Sequence, residues 1–206
     1  MPENIDDEND DLDDLDELKK NMVDFLRQDN PDGETYEETI GMQVAGANWD
    51  GDIAFLQKMA DTGQFDPLST IEPEKWNYLH RANLINPSPA KTIRFYLDKG
   101  VAVNAQDIYG MTPLHYAMDA QNPEAALVLL EAGADPNIPN GDNVIPLAMI
   151  GGMPQRLDVL EMMLKKGGNV HYLNSSHEIG ILEVIKKYCS DQEEFKPIIK
   201  LMEKYG

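Results

Sequence analysis

Between residues 110 and 137 the apolar positions fall into two helical phases separated by turn signals. In GMTPLHYAMDAQNPEAALVLLEAGADPN, Thr112 can cap a helix starting at Pro113, where a missing backbone N–H and a fixed φ do no harm, and ending near Ala120. A second helix is predicted from Pro123. It buries Ala126, Leu127, Leu129 and Leu130 at helical spacing and stops at Gly133, a residue type that tolerates a left-handed C-cap. The two helices run antiparallel.

The same pattern recurs along the chain. FYLDKGVAVN ends at Asn104 and VLLEAGADPN at Asn137, so Gly100 and Gly133 stand 33 positions apart, and MMLKKGGNVH places Gly167 a further 34 on. Upstream, WNYLHRA aligns with MTPLHYA, with His80 and His115 separated by 35, and QKMADTGQFDP supplies an earlier helix ending at Gly63. Self-similarity at this period predicts a solenoid, in which one unit cannot bury its own apolar face without stacked neighbours.

GMTPLHYA together with LLEAGADPN is very close to the ankyrin consensus, and on these residues the chain resembles an ankyrin-repeat protein over roughly residues 37–206. The resemblance implies an all-α solenoid of about five stacked helix-turn-helix units (37–70, 71–106, 107–139, 140–173 and 174–206) with short projecting hairpin loops. The unit at 107–139 is nearly ideal. Its neighbours depart from the pattern: residues 71–106 have WNYLH for TPLH and an insertion around NPSPAK, and VIPLAMIGG lacks the histidine and puts glycines into its first helix. The last unit keeps the two-helix outline, with Phe195, Ile198, Ile199 and Met202 as an i, i+3, i+4, i+7 stripe, as a capping repeat should. Segments such as NAQDIYGM and NIPNGDNV carry the Gly and Asn of tight turns. In the family these segments project as fingers that, with the first helices, line a concave binding face.

Ahead of the repeats, Leu12, Leu15, Leu18, Met22, Phe25 and Leu26 recur at three- and four-residue steps, predicting a helix within 12–36 that caps the first unit or docks a partner. Residues 1–11 are expected to be a disordered acidic tail, too poor in apolar side chains to offset the entropy of ordering.

Charge narrows the partners. The chain carries 37 acidic against 17 basic side chains, a formal net charge of -20, with ten acids and no Lys or Arg in residues 1–18. Nucleic acid and anionic membrane are therefore poor partners, and a protein with a basic surface is a good one. No apolar run approaches the length of a membrane span, the amino terminus does not read as a secretory signal, and Cys189 is the only cysteine. A cytoplasmic protein, monomeric by itself, is expected.

Catalytic chemistry finds little support. His80, His115, His171 and His177 lie in separate places, and the resemblance gives His80 and His115 a structural role, hydrogen-bonding neighbouring turn backbone. His171, His177 and Cys189 lack paired zinc-ligand spacing, and QDNPDGETYEET fails a calcium loop at both ends, so no metal and no cofactor is expected. The chain is read as no enzyme.

Carrying the family's recognition positions over unit by unit singles out Trp49 and Asp50; Glu74, Trp76 and Ile85; Ile108, Tyr109, Met111 and Asp119; and Asp142, Val144 and Met153. Aromatic anchors ringed by charge suit a protein interface. The expected function is a non-catalytic interaction module, an acidic inhibitor that occludes a basic partner, for example an immunity protein or antitoxin for a toxin or nuclease. The alternatives are a scaffold or adaptor without inhibitory role, and a retention factor masking a basic transport signal.

Overall fold

The computed structural model describes residues 39–84, 86–173 and 179–206. The expected tail (1–11), the expected helix within 12–36, Ile85 and His177 lie outside the described residues. Contacts divide the chain into residues 1–46 and 47–206. The described part of the first is the start of helix α1 (Ile40–Asp50), where the Thr39 carbonyl accepts from the amides of Met42 and Gln43 at 3.0 and 3.1 Å.

Within the second unit α1 ends, and α2 (Ile53–Asp61), α3 (Tyr78–Arg81), α4 (Ala90–Asp98), α5 (Pro113–Asp119) and α6 (Pro123–Glu131) follow in order. A 3₁₀ helix, Pro146–Gly152, precedes α7 (Leu157–Lys165), α8 (Ile181–Cys189), the short 3₁₀ turn Glu193–Phe195 and α9 (Lys196–Tyr205). Among the described residues the only β pairing is an isolated bridge between Ile71 and Trp76. The architecture is the all-α stack of helical hairpins that the repeats predict.

The helices pack in two rows. Second helices form one: α2 packs on α4, α4 on α6, α6 on α7, and α7 on α9. First helices form the other, with α3 against α5 and α5 against the 3₁₀ helix. Equivalent positions repeat the same burial, because each unit covers the apolar face of the one before it. Leu79, Leu114 and Leu147 of the first row are fully buried, as are Tyr96, Leu129 and Met163 of the second. Each such side chain contributes about 1.5–3 kcal/mol by leaving water. Of the four core positions expected on α6, Ala126, Leu129 and Leu130 are buried, whereas Leu127 is half-buried and Ala125 and Val128 are buried instead.

Local signals set the helix ends. Thr112 Oγ1 accepts from the His115 amide, and His115 Nδ1 accepts in return from the Thr112 amide at 3.0 Å, closing a capping box on α5. Asn77 and His80 do the same for α3. Beyond the second helices, Gly63, Gly100, Gly133 and Gly167 all take positive φ, between 70° and 98°, as left-handed helix endings require. In the unit after α6, Ile145 stands where Thr112 stands in its neighbour and makes no side-chain cap bond, and the helix closes on Gly151 and Gly152. With neither cap nor histidine, this first helix tightens to a 3₁₀ helix.

Candidate functional site

Two side-chain types carry the loops from one repeat to the next. His80 and His115 each use Nδ1 to accept the amide of their own cap residue, which leaves the proton on Nε2. His80 Nε2–H lies 3.1 Å from both the Ala105 and Met111 carbonyls, and His115 Nε2–H donates to the Val144 carbonyl at 3.0 Å. Burial above all holds both imidazoles below their ordinary pKa, although the carbonyls and Asp107 pull the other way. The structural role implied by the family resemblance is thus present at both positions. Asn104 and Asn137 act similarly: each donates to the carbonyl of the next helix-ending glycine, Gly133 or Gly167, and accepts an amide just beyond it, from Asp135 or Asn169.

The fingers are stiffened from within. Asp107 Oδ1 accepts from the amides of Tyr109 and Met111 at 2.9 and 2.8 Å, and the Asp107 amide donates to the Met111 carbonyl. Asn140, 33 positions on, builds the same loop around Asp142 and Val144. Adjacent fingers are joined along their edges: the Ile108 amide donates to Glu74 O at 3.1 Å and the Gly141 amide to Tyr109 O at 2.7 Å. Asn143 continues the line, donating through Nδ2 to Leu173 O and accepting from the Tyr172 hydroxyl.

The second oxygen of Asp107 anchors a cluster that the sequence did not disclose. Asp107 Oδ2 accepts from the Tyr116 hydroxyl at 2.7 Å and from Trp76 Nε1 at 3.1 Å, and Trp76 Nε1 also lies 2.9 Å from the Tyr116 hydroxyl. Asp107 is 6% exposed, and all four bonds converge on it. Burial, and then the neighbouring carboxylate, push the Tyr116 phenol well above its ordinary pKa. The repeat register marks Trp76 but not its partners, which lie 31 and 40 positions away.

The predicted recognition residues therefore differ in what they present. Ile108 and Tyr109, at 50% and 57% exposure, crown one finger. Asp50, Asp119 and Asp142 are exposed, while Trp49, Glu74, Met111 and Val144 are half-buried. Trp76 is half-buried and tied down by its indole N–H, so it offers at most a ring face. Met153 requires a correction: it is 2% exposed and belongs to the core. A 3₁₀ helix turns about 120° per residue against about 100° for an α-helix, so over six residues the end of this helix is rotated by roughly 120° from where an α-helical register places it. Ile85 lies outside the described residues.

Charge on this part of the chain has one sign. From residue 100 to residue 155 there is no Lys or Arg, against six acids: Asp107, Asp119, Glu124, Glu131, Asp135 and Asp142. The fingers carrying Ile108, Tyr109 and Asp142 belong to this span.

Comparison with known proteins agrees with the architecture. Residues 96–149 match the family model for ankyrin repeats in many copies. An ankyrin repeat protein of Rickettsia bellii is 28% identical over 117 residues, covering 49% of this chain and 33% of that protein. The ankyrin repeat protein nuc-2 of Neurospora crassa is 30% identical over 133 residues, 62% of this chain and 12% of its own. Protein phosphatase 1 regulatory subunit 27 of Mus musculus is 30% identical over 95 residues, 46% and 59% of the two chains. The fold and its capped, finger-bearing repeats define a protein-interaction class. Residues 96–149 are ankyrin repeats, and the chain spans a third or less of the length of the first two of these relatives.

Proposed function

We propose that this chain is an acidic inhibitor that covers a basic face of a partner protein with the finger edge and first-helix surface of residues 47–153. The observation that carries this reading is the complete absence of positive side chains from residue 100 to residue 155, where Ile108 and Tyr109 stand exposed on a finger held by its neighbours. With Glu124 and Glu131 paired to Arg156 and Arg94 on the second-helix side, the acidic field of the finger side draws in a basic partner, and a rigid pair of apolar anchors decides which partner stays. Because the fingers are already fixed by cross-repeat bonds, little ordering entropy is lost on docking. A toxin or nuclease with a basic active face suits this chemistry.

The test is affinity capture from native extract on the immobilised full chain at about 0.05 and 0.3 M salt, where screening shortens from roughly 14 to 6 Å. The wild type is compared with an Ile108→Ala/Tyr109→Ala double variant. A basic protein should be retained at low salt, lost at high salt, and lost to the variant; added back in equal amount, the chain should suppress the captured protein's own activity. Capture indifferent to both changes overturns the surface assignment. Capture without suppression removes the inhibitor and leaves a scaffold.

A further inference from the structure

On the second-helix row, α4 is locally basic where α6 is acidic. A cleft of about 420 Å³ between α2 and α4 is lined by Lys91, Arg94 and Lys99, with Phe95 and Ile53 in its apolar wall and Gln57 and Asp98 at its polar edge. Lys91 lies across Gly51, where a positive φ and the absence of a Cβ leave room for its chain. Lys99 holds its ammonium 5.4 Å from the centre of the Phe95 ring. Neither lysine has a carboxylate partner among the described residues, while Arg94 shares its charge with Glu131 at 3.2 Å. With Arg94 offset by Glu131, Lys91 and Lys99 against Asp98 leave the cleft locally positive in a chain with twice as many acids as bases.

We infer that the cleft between α2 and α4 is a docking site for an acidic peptide segment, whose carboxylates pair with Lys91 and Lys99 across an apolar side chain set against Ile53. Spacing supports an extended peptide. Eight residues of helix separate Lys91 from Lys99, a rise of about 12 Å, which an extended strand spans in about four residues. Carboxylates four residues apart, with an apolar residue midway between them on the same face of the strand, match that span. At physiological salt the screening length is about 8 Å, so the distant acids of the chain are muted while these cations act on anything inside the cleft. The site is built from second helices and not from the fingers, and it stands or falls independently of the function proposed above.

The experiment titrates the full chain, at about 0.15 M salt, into a fluorescein-labelled decapeptide with glutamate at every fourth position, leucine midway between them and serine elsewhere, read by anisotropy. Its counterpart with glutamine for glutamate and inorganic phosphate as competitor form separate arms. Lys91→Gln/Lys99→Gln should weaken the glutamate peptide at least tenfold while a cooperative melt is kept, since Lys91 is exposed, Lys99 is only half-buried and the Arg94–Glu131 pair is retained. Lys200→Gln/Lys204→Gln on α9, which removes the same charge elsewhere, should leave binding as it was. Equal loss in the two double variants, equal binding of the glutamine peptide, or full displacement by low-millimolar phosphate would each overturn the proposal.

Discussion

Asp107 offers the sharpest test of how the fingers are held. Replacing it with alanine removes one acceptor from four donors at once: the amides of Tyr109 and Met111, the Tyr116 hydroxyl, and the Trp76 indole N–H, which keeps the Tyr116 oxygen. Hydrogen bonds to a charged acceptor contribute about 1.5–3 kcal/mol each, but the two amides sit at an exposed fingertip and can turn to water, and losses within one network do not add. The expected net cost of Asp107→Ala is about 3–4 kcal/mol, or a drop of roughly 6–15 °C in melting temperature for a chain of this size. Asp107→Asn is the informative partner. Its amide oxygen can still serve the two fingertip amides, and the Tyr116 oxygen can accept from the new NH₂ while keeping the indole N–H, leaving the phenol's own hydrogen as the one displaced donor. That variant should cost about 1–2 kcal/mol. Urea unfolding followed by circular dichroism gives both values. An Asp107→Ala chain within about 1 kcal/mol of wild type, or an asparagine variant as damaged as the alanine one, would show that the cluster does not hold the finger.

Two further perturbations probe the same ladder. Burial depresses the pKa of His80 and His115, so their contribution is fully present above the unfolded imidazole value near 6.5 and is lost as the pH falls below it; unfolding free energy should decline between about pH 6.5 and 5, and His115→Gln should flatten that decline, an unaltered slope speaking against a neutral, bridging histidine. Gly110 has φ +72° and a Cβ there would stand 2.8 Å from the Gly141 amide nitrogen, so Gly110→Ala should cost about 1–3 kcal/mol and weaken capture of the basic partner several-fold, whereas a wild-type melt with full capture would uncouple finger geometry from binding.

Most of the scaffold was legible because its determinants are local and repeat. Thr112, Pro113 and Gly133 act through the backbone within a few residues of themselves, and the spacing of Gly100, Gly133 and Gly167 transfers the same ending from unit to unit. The surface was legible where a position's neighbours follow the consensus, as at Ile108 and Tyr109. It failed at Met153, where the cap residue is Ile145 and the helix changes its residues per turn, so register counting no longer tracks direction. The role of Trp76 was hidden for a different reason: its partners Asp107 and Tyr116 are set by stacking, and nothing in the local pattern of either segment points at the other. The basic cleft escaped notice because a net charge averages over the faces that a solenoid keeps apart.

The distribution of charge between those faces bears on how one small fold could discriminate among partners. Attraction by an acidic field is indifferent to sequence, since any basic surface responds to it, and it acts chiefly on the rate of encounter. Discrimination has to come from contacts that fail when the shape is wrong, and on the acidic span the large exposed apolar groups of the crowned finger, Ile108 and Tyr109, are the ones that can fail in that way. Their positions are not their own: the Ile108 amide is held by Glu74 of the finger before, the Tyr109 carbonyl by Gly141 of the finger after, and the loop beneath them by Asp107, which also holds Trp76 and Tyr116. On the proposed surface, selectivity would therefore be a property of the stack, so that weakening a buried bond in the neighbouring repeat should alter binding as surely as removing a residue the partner touches.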